Sequence, residues 1–392
     1  MKRKAQIVFL SLCALALVLV PLLTLIGPHK SVSYYEQRGL AKFPELSREA
    51  VLDGTYFSEL ETVYKDHIFQ RDRILKVNAI AELLLGRVTV NNIIVNSDKL
   101  LDSFGFLRWG LDYLKPEAEA IAAQYASLNG MITAYGGQFC YLGLPQQTTY
   151  FADEYPAYMD SRLWHTTGIR DIFGAAMETQ GVPFLNMYAA FQAAGQPEEY
   201  YYDSDHHSSG EGAFFTYLTL MEQLSAQSGG ELDYLTEEDF TKTTLKNPFL
   251  GSSNRKLYGL WDSADAVTLY TPKTEIAFTR YDNGVPKNSI NALPYTEEEV
   301  TTYSVYMGGD VAETVIQTNR PDLPSILIYG DSFTNPLESV LWANFNETRT
   351  LDYRYYTAKS LRAYIEEYRP DYVVCVRDES TYFARTGNGR TD

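Results

Sequence analysis

The chain has 392 residues, 45% of them hydrophobic and 14% aromatic, and a formal net charge of −17 at neutral pH. Setting aside the basic tail Lys2, Arg3 and Lys4 takes that balance to −20, which argues against a nucleic-acid or anionic-lipid partner for the bulk of the molecule. Its three cysteines form no CxxC and no Cys/His cluster, so no zinc site is expected and no other cofactor is implied.

The basic tail precedes an uncharged, mostly apolar run from Ala5 to Ile26, long enough at helical rise to cross a bilayer. Residues 1–27 therefore read as a signal anchor, with a cleaved signal peptide as the alternative; no clean small-x-small site precedes Gly27 and Pro28. Either way the remainder is expected outside the cytoplasm, on a single-pass anchor or secreted. Cys13 lies in this run, whereas Cys140 and Cys375 sit in apolar strand-like segments and read as buried free thiols, a single disulfide being the alternative.

Residues 28–115 read as a membrane-proximal region. "YYEQRGLAKFP" from Tyr34 to Pro44 is a polar linker. Ser47 can cap a helix toward Leu60 with Asp53-Gly54 as an interruption, and helical periodicity resumes from Ile74 to Leu85. "RVTVNNIIVNSDKLL" then reads as a hairpin about Asn91 and Asn92.

From Pro116 strands alternate with helices. Helices are expected over Pro116 to Ala134, Ser161 to Thr179, Gly212 to Ala226, Pro336 to Asn344 and Ala358 to Tyr368. Between them fall the strands "QFCYLGLP", "VPFLNMY", Ile326 to Tyr329, "TRTLDYR" and "YVVCVRD". That order predicts an α/β domain over residues 116–392, a parallel sheet covered by helices on both faces. Roughly residues 230–320 interrupt it with "AVTLYTP", "EIAFTRY", "VTTYSVYMG" and "ETVIQT", read as a mainly antiparallel β-rich insertion that caps the sheet. Most of the 31 tyrosines are expected to fill core and surface, though such rings also stack on sugars.

Ligands of open α/β sheets gather where strands end. "ILIYGDSF" puts Ser332 at such an end, before a helix whose free amides can face a developing oxyanion, and Gly330 allows a tight approach there. By itself, Gly-Asp-Ser is equally an ordinary helix N-cap. A serine nucleophile needs a base, and "DSDHHSSG" supplies one: Asp205, two residues before His207, can orient its imidazole. The competing readings are a helix cap beside surface histidines, or a metal held by Asp203, Asp205, His206 and His207. "NPFLGSSNRKL" is a candidate second oxyanion donor through Gly251 or Ser252, with Arg255 available to a substrate carboxylate or hydroxyl; a plain surface loop is the alternative.

"DHHSSGEGA", Asp205 to Ala213, and "GDSF", Gly330 to Phe333, together resemble the DHHW family of bacterial exported proteins, related to AlgX/AlgJ-type alginate O-acetyltransferases. "EQRGLAKFP" and "DGTYFSELETVYKDHIFQRDRI" are similar to segments that precede the catalytic domain there, so the likeness spans most of the chain after the anchor. The resemblance implies an SGNH-hydrolase-like, flavodoxin-like fold in permuted order, with Asp205, His207 and Ser332 as the triad; no metal is expected, since the further ligands it would need are not evident in the sequence. It further implies a polysaccharide acceptor, an acetyl donor and a membrane-bound O-acyltransferase as partner. An esterase using the same triad, or a non-catalytic glycan-binding scaffold, remains the alternative. Ser208 departs from the family pattern, which has tryptophan there, and no G-x-N-D block is evident.

Overall fold

The computed structural model describes residues 2–392 apart from 37, 97, 105–109 and 231, so parts of the polar linker and of the segment after the hairpin lie outside the described residues. The chain divides into two compact units, one running to Ile93 and including Asn254–Asp262, the other comprising Ile94–Ser253 and Ser263–Asp392.

In the first unit α1 (Lys2–Ile26) is a single helix whose stretch Arg3–Ile26 is long and apolar enough to cross a membrane. Ser47 caps α2 (Arg48–Asp53) by accepting from the Ala50 amide. Gly54 ends that helix at φ 87°, a left-handed geometry that suits glycine, and α3 (Thr55–His67) begins directly after it. The fourth helix, α4, covers Arg71–Leu84. Asn91 and Asn92 both adopt positive φ, as a two-residue hairpin turn demands.

The second unit is built on an eight-stranded sheet. In chain order its elements are α5 (Lys115–Thr133), β1 (Gln138–Leu144), α6 (Leu163–Thr179), β2 (Phe184–Asn186), α7 (Gly210–Gln227), β3 (Thr279–Asp282), β4 (Val285–Lys287), β5 (Glu313–Gln317), β6 (Ser325–Gly330), α8 (Thr334–Leu341), β7 (Glu347–Leu351), α9 (Leu361–Tyr368) and β8 (Tyr372–Asp378). The strand order is β4-β3-β5-β7-β6-β8-β1-β2. β7, β6, β8, β1 and β2 run parallel, with Tyr329 beside Leu351 on one side and Cys375 on the other.

Alternation along the strands divides the core in two. Cys140, Leu142, Ile326, Ile328, Val374 and Val376 pack with α7 and α8, whereas Phe139, Tyr141, Leu327, Tyr329, Val373 and Cys375 pack with α5, α6 and α9. Both faces are therefore covered, which is why these strands are apolar without a polar side. Cys140 and Cys375 are buried free thiols, and burial pushes them up to about 12 and about 11 respectively.

The middle segment departs from expectation. Rather than capping the sheet as a separate layer, β3, β4 and β5 extend it, β5 pairing antiparallel with β7 and β3 with β5. Among the described residues of this segment, only Phe240–Thr244 and Thr268–Pro272 form a separate antiparallel ribbon. "VTTYSVYMG" is not a strand: Tyr303–Val305 is a 3₁₀ turn, and Met307, Gly308 and Gly309 all take positive φ. Its alternating apolar residues instead bury Tyr303, Val305 and Tyr306 in a small cluster with Phe249 and Val267. β2 is shorter than "VPFLNMY", because the Asn186 side chain accepts from Ala189 N–H and caps a new helix, Met187–Ala193.

Candidate active site

The corner after β6 is fixed from behind. A side chain at Gly330 would place its Cβ 2.7 Å from the Val376 carbonyl oxygen and 2.6 Å from Thr334 Cγ2, so only glycine allows the strand to turn there. The Asp331 carboxylate accepts from Phe333 N–H at 3.2 Å, and its carbonyl accepts from the Thr334 amide and hydroxyl at 2.9 and 2.8 Å. Burial raises Asp331 to about 6, the Asp378 charge adding to the rise while Arg377 and Arg354 oppose it. These contacts leave Ser332 half-buried between Asp331 and the wholly buried helix α8.

The histidine loop precedes α7, whose cap is the Ser209 hydroxyl accepting from Gly212 N–H at 3.1 Å. Tyr201 and Ser208 form an antiparallel bridge, and Ser209 N–H donates to the Tyr200 carbonyl at 3.0 Å. Asp265 accepts from the Asp203 and Ser204 amides at 2.9 and 2.8 Å. Ser208 is therefore buried within a hydrogen-bonded hairpin, and the loop is held without a tryptophan at that position.

Between corner and loop runs one chain of hydrogen bonds. Ser332 Oγ lies 2.7 Å from His207 Nε2, and His207 Nδ1 lies 2.7 Å from Asp205 Oδ1. A carboxylate only accepts, so Nδ1 carries the proton and Nε2 is left to accept from the serine hydroxyl. Asp205 is 1% exposed and takes two further N–H groups, His207 N at 3.1 Å and Ser252 N at 2.6 Å. Burial would raise its carboxyl, but the neighbouring imidazoles of His207 and His206 and the hydrogen bonds from His207 and Ser252 outweigh that and hold it well below the usual carboxylate range.

The imidazole is also gripped through its ring. Tyr303 stacks on it at 3.7 Å between centroids and 7° between planes, His206 lies at 3.7 Å and Phe333 at 4.8 Å. Tyr303 is 6% exposed, and its hydroxyl has no hydrogen-bond partner among the described residues. Nothing in the sequence marks it, since it lies in a segment with strand-like alternation far from both motifs.

The glycine-serine stretch has a different use from the one expected. The Ser252 amide donates to Asp205 and its hydroxyl meets His206 Nδ1 at 2.7 Å, so that amide is not available to a reacting carbonyl. Gly251 is pressed against the histidine loop, where an added Cβ would fall 2.2 Å from the Ser204 carbonyl oxygen. Arg255 falls in the Asn254–Asp262 segment that belongs to the first compact unit. Asp205, His206 and His207 bring metal-type donor atoms within 4.8 Å of one another. Both His207 nitrogens are nevertheless committed, to Asp205 and Ser332, while Asp203 lies 3.6 Å from the buried Lys99 ammonium. The donor set does not fit a metal that needs the same nitrogen lone pair the serine uses.

The second unit, a parallel sheet covered on both faces with a serine, a histidine and an aspartate joined at its strand ends, has a fold of the SGNH-hydrolase-like type. Residues 106–275 match the family described as SGNH hydrolase-like domain, acetyltransferase AlgX, a span that includes Asp205 and His207 and ends before Ser332. No curated protein matches the chain. Among solved structures it is similar to PatB1 of Bacillus cereus, with TM-score 0.62 and 22% identity over 76% of this chain and 99% of that one. PatB1 carrying a sulfonyl adduct gives TM-score 0.61 and 20% identity, over 76% of this chain and 98% of that one. A DHHW family protein from Eubacterium siraeum gives TM-score 0.56 and 17% identity, over 78% of this chain and 95% of that one. At these identities the likeness is one of fold.

Proposed function

We propose that the chain is an extracytoplasmic O-acetyltransferase acting on an exopolysaccharide or cell-wall glycan, held at the membrane by α1. Residues 28–115 serve as the membrane-proximal region and residues 116–392 as the catalytic domain. The observation that carries this reading is the Ser332–His207–Asp205 chain, with 2.7 Å at each link. The AlgX-type domain match supports acetyl as the group transferred.

Ser332 Oγ attacks the donor's acetyl carbonyl as its proton passes to His207 Nε2, and Asp205 holds the imidazolium that results. The tetrahedral oxyanion is stabilised by the Ser332 amide at the head of α8. Collapse expels the donor's leaving group, which takes the proton from His207 and leaves acetyl-Ser332. A glycan hydroxyl then gives its proton to His207 and attacks the acyl carbon; collapse breaks the bond to Ser332 Oγ, which takes that proton back from His207, and the glycan departs as its acetyl ester. A membrane-bound O-acyltransferase is the partner proposed to supply the donor.

The test is turnover of a chromogenic acetyl ester by the purified protein. The wild type is expected to release chromophore and to take up one sulfonyl group at Ser332 from a sulfonyl fluoride, while Ser332→Ala and His207→Ala fall to background. Folded wild type with no turnover above the Ser332→Ala background would overturn the enzyme reading in favour of a glycan-binding scaffold. Release of acetate undiminished by added glycan, with no acetylated sugar formed, would make the protein an esterase.

A further inference from the structure

The acyl-transfer reading leaves a cavity in the first unit without a use. It has a volume of about 360 Å³ and is walled by Thr24 and Leu25 of α1, Phe43 of the linker, and Phe57, Leu60 and Tyr64 of α3. That volume lies within the range of small-molecule pockets. The three α3 residues recur at helical spacing and present one face to it.

Its place along α1 decides what can enter. Thr24 is 3% exposed, whereas Leu22, Leu25 and Ile26 around it are 50%, 62% and 70% exposed, so the folded unit grips the helix at one point near its end. The grip is specific: Thr24 Oγ1 accepts from Phe69 N–H at 3.0 Å, and His29 Nε2–H donates to the Thr24 carbonyl at 2.8 Å. The His29 ring lies 4.6 Å from that of His67, which donates to the Ala41 carbonyl at 2.9 Å. At about 1.5 Å of rise per residue, Thr24 lies roughly 3 Å inside the last residue of the apolar stretch. In a bilayer the wall formed by Thr24 and Leu25 is therefore level with the outer ends of lipid acyl chains. An apolar cavity offers water too few hydrogen bonds to hold it.

We propose that this cavity binds the acyl chain of a membrane lipid, which leaves the bilayer core and turns up between α1 and α3. The proposal rests on the reading of α1 as a membrane span. A neighbouring groove of about 450 Å³ carries Lys30, Arg71 and Arg73. Lys30 pairs with Asp72 and Arg71 with Glu36, so two of these three cations are already balanced, and the proposal concerns the chain and not the headgroup.

The full-length protein is reconstituted in phosphatidylglycerol–phosphatidylethanolamine nanodiscs containing lipid with a diazirine at the chain terminus, irradiated, and mapped by peptide mass spectrometry. The terminus of a chain that stays in the bilayer reaches α1 alone. Occupancy predicts additional label on Thr55–His67 and around Phe43, cut several-fold by the filling variant Leu60→Trp and by the polar variant Phe57→Asp, with the α1 label unchanged. Circular dichroism and thermal melting identify any variant that fails to fold, and retention of the effect in either folded variant suffices. Label confined to α1 overturns the proposal and leaves the membrane reading intact. Absence of label from α1 itself overturns the membrane reading. Strong wild-type α3 label that survives both folded variants assigns it to surface contact and overturns the cavity. If α3 cross-links to another protein in native membranes and purified protein takes no lipid label there, the occupant is a partner helix and the proposal fails.

Discussion

Replacing Asp205 with asparagine probes the hydrogen-bond chain at its buried end. The carboxylate accepts three N–H groups, from His207 Nδ1 at 2.7 Å, His207 N at 3.1 Å and Ser252 N at 2.6 Å, using both oxygens. An amide of the same shape has one acceptor oxygen, so its NH₂ must face an N–H on one side or the other. Turned toward His207, it forces the proton onto Nε2, which can then no longer take the Ser332 hydrogen. Turned toward Ser252, it leaves a buried backbone N–H unpaired, at a cost of about 1–3 kcal/mol. The expected variant is less stable by about 2 kcal/mol, and its kcat falls on the order of 10³–10⁴-fold with KM little changed, as in other serine–histidine–aspartate sites. Acetyl-ester kinetics and urea unfolding on the same preparation separate the two effects. The pH dependence has a definite sign. The folded carboxyl lies below its unfolded value, so its stabilisation is present above pH ~4 and is lost as pH falls toward the folded value. The stability gap between wild type and variant should therefore narrow under acid. A folded variant within about tenfold of wild-type kcat would refute the orienting role.

Gly251→Ala places a carbon 2.2 Å from the Ser204 carbonyl oxygen and must push Ser252 off Asp205; a stability loss of about 2 kcal/mol or more and a marked drop in kcat are expected from thermal melts and ester kinetics. Tyr303→Phe removes a hydroxyl without a hydrogen-bond partner among the described residues and should leave stability and ester turnover near wild type. Tyr303→Ala removes the ring stacked on His207, and kcat should fall while Ser332 remains in place. Burial raises Glu338 to about 8, with Thr334, Arg280 and Thr350 opposing, so its carboxyl holds its proton across the range where the unfolded chain loses it. The Glu338 contribution to stability therefore declines as pH rises from about 4.5 to about 8, and the stability of Glu338→Gln relative to wild type should grow over that window, by roughly a few kcal/mol at its upper end. A wild-type-to-variant difference that is the same at pH 5 and pH 8 would show that the carboxyl is not held neutral.

Ser332, His207 and Asp205 were legible because each belongs to a short motif whose residue types have few other joint uses. Their supports were not. Tyr303 reaches His207 from a segment whose alternation fits a strand, and alternation does not distinguish a pleated surface from a 3₁₀ turn that buries the same residues. Gly251 and Ser252 stood out in the chain, yet composition does not say which way an amide points; it points to Asp205. The same limit applies to β3, β4 and β5. Their sequences specify antiparallel strands, but whether these form a lid or join the edge of the sheet is set by β7, whose free side accepts β5. The parallel strands were easier, because burial on both faces leaves a run of apolar residues that admits few other readings.

His207 and Ser332 are separated by 125 positions in the chain and meet across the assembled sheet. The serine therefore remains an ordinary alcohol until β6 is seated between β7 and β8 and α7 has closed over the same layer. During synthesis the histidine loop emerges before the serine, so on the proposed acyl-transfer reading a nascent or half-folded chain is expected to be unable to acylate itself or waste donor. If the proposed chemistry holds, ester turnover per molecule would also count completed domains, and a preparation of low specific activity would call for a measure of its folded fraction before any conclusion about its chemistry.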